Sequence, residues 1–168
     1  ESPAYTDIFS KAPADATVLE KKGSLFFGNC GTVEEFKNCK RPATNETAPT
    51  TSQDDKIWTP PENMRGDIAR ALFYTALRYE TLLGLQLSDC PPFDTNEFGY
   101  LSQLIEWHND DPVSDEEKTR NDRACSRWQG NRNVFIDYPD LVKQIFGVPD
   151  TLLSGTKSYV KCTAKTDA

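Results

Sequence analysis

Histidine is nearly missing from this sequence: His108 is the only one among 168 residues. That scarcity limits the chemistry before any motif is considered. An imidazole-based zinc cluster is excluded, and the five cysteines (Cys30, Cys39, Cys90, Cys125 and Cys162) show no Cys-x-x-Cys spacing to replace it. A Ser-His-Asp or Cys-His set would have to use His108. Long hydrophobic runs are missing too, so no segment suits a membrane helix, and no signal peptide is visible at Glu1. The chain reads as soluble, with any leader already removed. Positive charge is in deficit, with 19 Lys and Arg against 26 Asp and Glu, a net charge of −7. This excludes a broad electrostatic footprint on nucleic acid, which rests on cations displacing condensed counterions. A local basic groove would have to outweigh the acidic remainder, and its binding would be salt-sensitive.

What is present suits a folded domain. A hydrophobic content of 37% and a mean hydropathy of −0.63 are polar for a globular chain, yet three Trp, nine Phe and six Tyr supply large bodies to bury. The length predicts one domain over 1–168, with a long loop over 29–58, a helical scaffold over 59–147 and a C-terminal tail over 148–168. Cys30 and Cys39 lie in a Gly/Asn/Lys-rich stretch and are the disulfide candidates. Asn45-Glu46-Thr47 is a glycosylation sequon in a Thr/Pro-rich segment, with Asn45 as acceptor. Both features fit a secreted, periplasmic or lumenal compartment. The odd cysteine is either a buried thiol or the partner of another segment.

The pattern along the chain is mostly helical. A short helix is predicted from Ala12 to Lys22, stopped by Gly23, and Ser24 to Gly28 reads as a brief buried strand. Asn29 to Lys56 lacks periodicity and reads as a surface loop. Thr59-Pro60-Pro61-Glu62 offers a capping box with Pro at the first helical position. Ile68, Leu72, Ala76 and Leu83 then share a face with Ala69, Phe73 and Leu77, up to a stop at Gly84. A second helix is expected from about Asn96 to His108, capped by Asp94 or Thr95, with Leu101, Leu104 and Ile105 inward. A third starts at Ser114, where Ser114 and Glu117 form another capping box, and ends before Gly130. A fourth covers Pro139 to Phe146, between Asp137 and Gly147. The tail from Thr151 is polar, with Tyr159 and Val160 near Cys162. The expected fold class is mainly α with a small β component.

Several residue sets compete for a functional reading. His108 sits near a helix C-terminus, where the dipole alone favours it. Asp110, Asp111, Asp115 to Glu117, Asp137 and Asp140 include oxygen ligands suited to a hard cation. They lack the spacing of a Ca²⁺ loop, and solvated helix starts account for them. Arg120, Arg123 and Arg127 share one helix face, with Lys118 nearby and Arg132 just beyond. That stripe suits phosphates, while Glu116, Glu117 and Asp122 offer intrahelical ion pairs as the plain alternative. Gly130-Asn131-Arg132-Asn133 before Val134-Phe135-Ile136-Asp137 reads as a structural corner, or else as a substrate-facing loop.

Four segments, taken in order, resemble the endonuclease I family. They are Arg65-Gly66-Asp67-Ile68-Ala69-Arg70-Ala71-Leu72-Phe73-Tyr74, Trp107-His108 followed by Asp111-Pro112-Val113-Ser114, Arg120-Asn121-Asp122-Arg123, and Gln129 to Asn133 with Phe135-Ile136-Asp137. That family contains periplasmic and secreted nucleases of Gram-negative bacteria and extracellular ribonucleases of bacilli. Upstream, Asp7-Ile8-Phe9-Ser10, Pro13-Ala14-Asp15, Val18, Gly23 and Leu25-Phe26-Phe27-Gly28 are similar to the helix of the family's ββα-metal (His-Me finger) site.

The resemblance implies a larger, C-terminal part of such a nuclease with a degenerate site. The family's metal-binding Asn falls at Leu19, and the His of its Asp-Leu-His element falls at Phe9. The Arg and Asn of the next element fall at Lys22 and Ser24. The family's general-base His lies on a strand further upstream, which this sequence does not include. In that mechanism a neutral imidazole activates water while a metal stabilises the leaving oxygen. The favoured expectation is a catalytically degenerate domain that binds or serves in a larger assembly through protein partners, without a cofactor and with only weak contact to nucleic acid. The rival is an active Mg²⁺-dependent endonuclease whose catalytic His strand lies on another segment.

Overall fold

The structure is a computed structural model, describing residues 3–12, 14, 16–31, 38–42, 50–85, 87–89 and 98–147. It is mainly helical, with one small sheet, as the sequence predicts. Helix α1 spans Ala16–Lys22, and strand β1, Phe26–Phe27, follows directly. Strand β2, Ser52–Gln53, and strand β3, Ile57–Thr59, complete a sheet of order β1-β3-β2. β1 runs parallel to β3 with Phe26 opposite Ile57, and β2 runs antiparallel with Gln53 opposite Trp58. Strands this short draw their stability from packing: Phe26, Ile57 and Tyr100 form a small core of their own.

The sheet corrects the expected loop over 29–58. Its later part holds β2 and leads into β3, and Thr51, Gln53 and Asp54 are buried. Asp54 accepts bonds from the Lys56 and Ile57 amides (2.8 and 2.7 Å), an Asx-type turn that bends β2 into β3. Cys30 and Cys39 form the predicted disulfide. The sequon at Asn45 and the expected caps Asp94 and Thr95 lie outside the described residues, as do Cys90, Cys162 and the chain from 148 onward.

The capping box at Thr59 is also overturned. Thr59 ends β3, where its hydroxyl donates to the Gly28 carbonyl (2.8 Å) and accepts from the Cys30 amide (2.6 Å), so it has nothing left for a helix start. A 3-10 turn over Glu62–Met64 instead feeds helix α2, Arg65–Leu83, whose N-cap Met64 makes no side-chain cap. At the other end Gly84 takes the left-handed conformation (φ 61°) and donates to Glu80, the predicted stop. The inward face of α2 is shifted from the predicted one. Ala69, Phe73 and Ala76 are buried with Arg70, Tyr74 and Tyr79, whereas Leu77 is exposed.

Helix α3, Leu101–Asp110, begins later than expected. Phe27 holds the residues before it in a sheet-like bridge, with Tyr100 N–H on the Phe27 carbonyl (2.9 Å). Leu104, Ile105 and Trp107 meet Ala69, Phe73 and Tyr74 of α2, and Phe9, Ala124, Phe135 and Val142 close the main core. Helix α4, Asp115–Arg123, carries the predicted Ser114–Glu117 capping box. It continues as a π-helical turn, Ala124–Trp128. Short helices α5, Val134–Asp137, and α6, Leu141–Phe146, end the described chain; α5 was not expected, and α6 stops at Gly147 as predicted.

Candidate functional site

The N-terminal segment is fastened by one carboxylate. Asp7 caps the 3-10 turn Ile8–Ser10 through the Phe9 amide (2.9 Å). It also accepts from Gln129 Nε2 (3.0 Å) and from the hydroxyls of Tyr74 (2.7 Å) and Tyr79 (2.8 Å). Burial opposes its charge, but those four donors outweigh it and hold the carboxyl below its ordinary value. Gln129 returns its Oε1 to the Ile8 amide (2.9 Å), and Asn131 donates to Tyr74 (2.6 Å). The Gln129–Asn133 motif therefore faces the core joint.

The positions that the sequence marks as the degenerate site lie on and around α1. Phe9 is 2% exposed, with its ring 5.0 Å from Tyr74, so it is core. Leu19 projects from α1 with 59% of its surface exposed. Lys22 Nζ donates to the carbonyls of Gly23 (3.2 Å) and Leu25 (3.0 Å) and lies 4.4 Å from the Phe27 ring centroid. Burial lowers its pKa to about 8. Ser24 is exposed. An aliphatic chain, a buried ring and an ammonium already spending its donors do not make a hard-cation seat, which requires oxygen ligands. Elsewhere among the described residues, Cys30, Cys39 and Asp54 offer ligand-type atoms close together. The two sulfurs are committed to their disulfide.

The second joint surrounds Arg70, which is completely buried. Its guanidinium grips Glu117 with two bonds (2.7 and 2.6 Å), reaches Asp67 (3.0 Å) and donates to the Asp111 carbonyl (2.7 Å). Asp111 in turn accepts from the Gly66 amide (2.9 Å). Glu117 and Asp111 are thus structural partners, which corrects their reading as solvated helix-start acids. Two carboxylates, Asp67 and Glu117, compete for one cation. Burial, and then the Glu117 charge, push Asp67 up to about 7.

The remaining predicted residues separate into bound and free. His108 is a core histidine: its ring packs edge-on to Phe73 (6.0 Å), its Nε2 faces the Pro139 carbonyl (3.2 Å), and burial lowers its pKa. Desolvation wins over the helix dipole there. Arg132 pairs with Asp137 (2.7 Å from both Nε and NH2) and Asp122 (2.8 Å), and Asn121 reaches Asp137 and Asn133. Asn133 caps α5 through the Phe135 amide (3.0 Å), the structural-corner reading of that loop. Arg120 donates to the Ile8 and Lys11 carbonyls (2.6 Å each). Arg123 and Arg127 are exposed and make no ion pair or side-chain hydrogen bond among the described residues. Beside them Trp128, which the sequence reading passed over, is 59% exposed at the end of the π-turn. A cleft of about 510 Å³ opens between Ile8, α4 and Trp128.

The endonuclease I family profile matches residues 1–140, which include both joints and the cleft. The chain belongs to the endonuclease I family. Extracellular ribonucleases of Bacillus subtilis (strain 168) and Bacillus amyloliquefaciens are each 37% identical to it over 145 residues. The match covers 84% of this chain and 46% of each ribonuclease, so the chain spans less than half the length of these relatives. No solved structure matches it significantly. No described helix is long and apolar enough to cross a membrane. Within this endonuclease I chain, the motif residues Arg70, Asn121, Gln129 and Asn133, together with Glu117, hold helices together.

Proposed function

We propose that this chain is a catalytically degenerate endonuclease I domain, folded as a single unit over 1–168, that serves by binding or as a structural subunit. The observation that carries the reading is Leu19: a 59% exposed aliphatic side chain at the position of the family's metal ligand, with Phe9 packed into the core. The surroundings of α1 do not fit a divalent cation, which takes oxygen ligands. The disulfide and the description of its relatives as extracellular support a secreted or periplasmic location. Protein partners in an assembly complete this reading.

The second reading is an active metal-dependent nuclease whose catalytic His strand is supplied by another segment. Its support is that the two relatives are ribonucleases and that this chain leaves a large part of their length uncovered. The purified chain incubated with RNA and plasmid DNA in Mg²⁺ or Mn²⁺ separates the two. The degenerate reading expects no EDTA-sensitive cleavage; cleavage that copurifies with the protein and disappears with EDTA establishes the rival.

A further inference from the structure

Glu116, Thr119, Arg123 and Arg127 recur at helical spacing along α4 and the π-turn that follows, so they share one exposed strip roughly 16 Å long. The strip is acidic at its start, with Asp115 and Glu116, and basic at its end, with Arg123 and Arg127. Among the described residues Glu116, Arg123 and Arg127 make no ion pair or side-chain hydrogen bond, and the Asp115 carboxylate pairs only with the exposed Lys118 (3.0 Å). Arg120 is turned aside. Its guanidinium is held by the Ile8 and Lys11 carbonyls (2.6 Å each), which leaves the small Thr119 at the middle of the strip. Trp128 ends the row with 59% of its surface exposed, whereas Trp58 and Trp107 are 4% and 3% exposed. Ile8, Glu116, Thr119, Arg123 and Trp128 are among the residues lining the open cleft of about 510 Å³ along this face.

We infer that this face is the contact between two copies of the chain, packed α4 against α4 in antiparallel sense about a two-fold axis near Thr119. A two-fold contact uses the same surface twice, so that surface must complement itself. This one does. Reversing the helix about an axis midway between Glu116 and Arg123 sets each glutamate opposite the second copy's arginine. The two positions are seven residues apart, so each lies about 5 Å along the helix from the axis, and both pairs form together. Arg127 then comes within reach of the second copy's Asp115, and the Trp128 indole covers its Pro112 and Val113, which precede α4. An acidic partner would meet repulsion at Asp115 and Glu116, and a basic one at Arg123 and Arg127. The complement needed carries base at one end and acid at the other, and α4 reversed is such a segment. Burial of Trp128 supplies the apolar part, because exposed ion pairs alone contribute little. A net charge of −7 on each copy opposes association, and one helix face is a small interface. The expected dissociation constant is therefore on the order of 10–100 μM. The inference goes beyond the reading of catalytic loss and is indifferent to the outcome of the cleavage assay.

Sedimentation velocity of the intact chain in EDTA, from about 1 to 300 μM, reads self-association directly. The weight-average mass is expected to climb from 18.9 kDa towards twice that value. Glu116→Arg and Arg123→Glu each place like charges across the axis, and each should leave the chain monomeric. Mixed one to one, these two variants should associate again, because every arginine then faces a glutamate. A role confined to one copy's own helix would not produce that rescue. Trp128→Ala should weaken association about tenfold. All three side chains are exposed, so circular dichroism and thermal melting at the lowest concentration, where the parent is monomeric, serve as the folding control. A parent that stays monomeric throughout the range would overturn the inference and leave the face to a different partner. So would variants that associate like the parent, or an equimolar mixture of the two charge variants that stays monomeric.

Discussion

Gly66 has no room for a side chain. A Cβ there would lie 2.0 Å from the Asp111 carbonyl oxygen and 2.9 Å from Arg70 NH1. Gly66→Ala must push the α3–α4 connection away from α2, at a cost of about 3 kcal/mol, measurable by urea unfolding. Arg70 makes a related point. Glu117→Ala strands a wholly buried guanidinium, and breaking such a pair costs roughly 3–5 kcal/mol. Arg70→Met combined with Glu117→Leu should recover much of that loss, because the two buried charges leave together and Asp67, 34% exposed, can be hydrated or take up a proton. Asp67 adds a pH dependence. Its folded pKa of about 7 lies above the ordinary 3.8, so between these values the native state holds a proton that the unfolded chain has released. Its contribution is therefore fully present below about pH 4 and is lost as pH rises towards 7. Asp7 and Asp137, whose carboxyls are held low, act with the opposite sign and only in more acidic solution. His108, held neutral by burial, also opposes it, gaining stability as pH rises towards its ordinary 6.5. Asp67→Asn mimics the protonated form and leaves those groups in place. Urea midpoints of parent and variant at pH 4.5, 6 and 7.5 should diverge across this window; parallel midpoints would contradict the assignment.

At the scale of elements, the Ser114 capping box fixes both the start of α4 and the orientation of Glu117, since Glu117 Oε2 accepts from the Ser114 amide (3.1 Å) while gripping Arg70 (2.6 Å). Ser114→Ala should cost about 1 kcal/mol, read from the unfolding midpoint. The Cys30–Cys39 bridge closes a short loop. In the chain-entropy account that closure contributes about 2.5 kcal/mol, so the double Cys→Ser variant should melt earlier while keeping the helical circular dichroism. These two devices were legible in the sequence because they are local. So were the stops at Gly84 and Gly147. What escaped reading depends on distant partners. Thr59 looked like a helix cap but bonds to Gly28, 31 residues away. Glu117 looked solvated but meets Arg70, 47 residues away. Asp7 anchors to Tyr74, 67 residues away. Trp128 could have been singled out as a large aromatic following an arginine run and preceding Gln-Gly, but its exposure is set by which distant segments pack beside it.

At the scale of the molecule, the endonuclease I motifs divide by task. Those that join helices persist as buried, mutually bonded groups around Asp7, Arg70 and Asn121. Around α1 stand an exposed leucine, Leu19, a buried phenylalanine, Phe9, and a lysine bound to carbonyl oxygens, Lys22, which the proposed reading takes as the places of lost cation ligands. Under the proposed reading, a scaffold kept to this degree without a cation seat suits a domain that binds or serves as a structural subunit. The proposal that no cation is seated beside α1 can be tested without a substrate. In an electron paramagnetic resonance titration of the intact chain with Mn²⁺, the account predicts that the free-ion signal grows in proportion to added metal, with at most weak millimolar loss to the acidic surface. A stoichiometric, tightly bound Mn²⁺ that Mg²⁺ displaces and Leu19→Lys abolishes would contradict it.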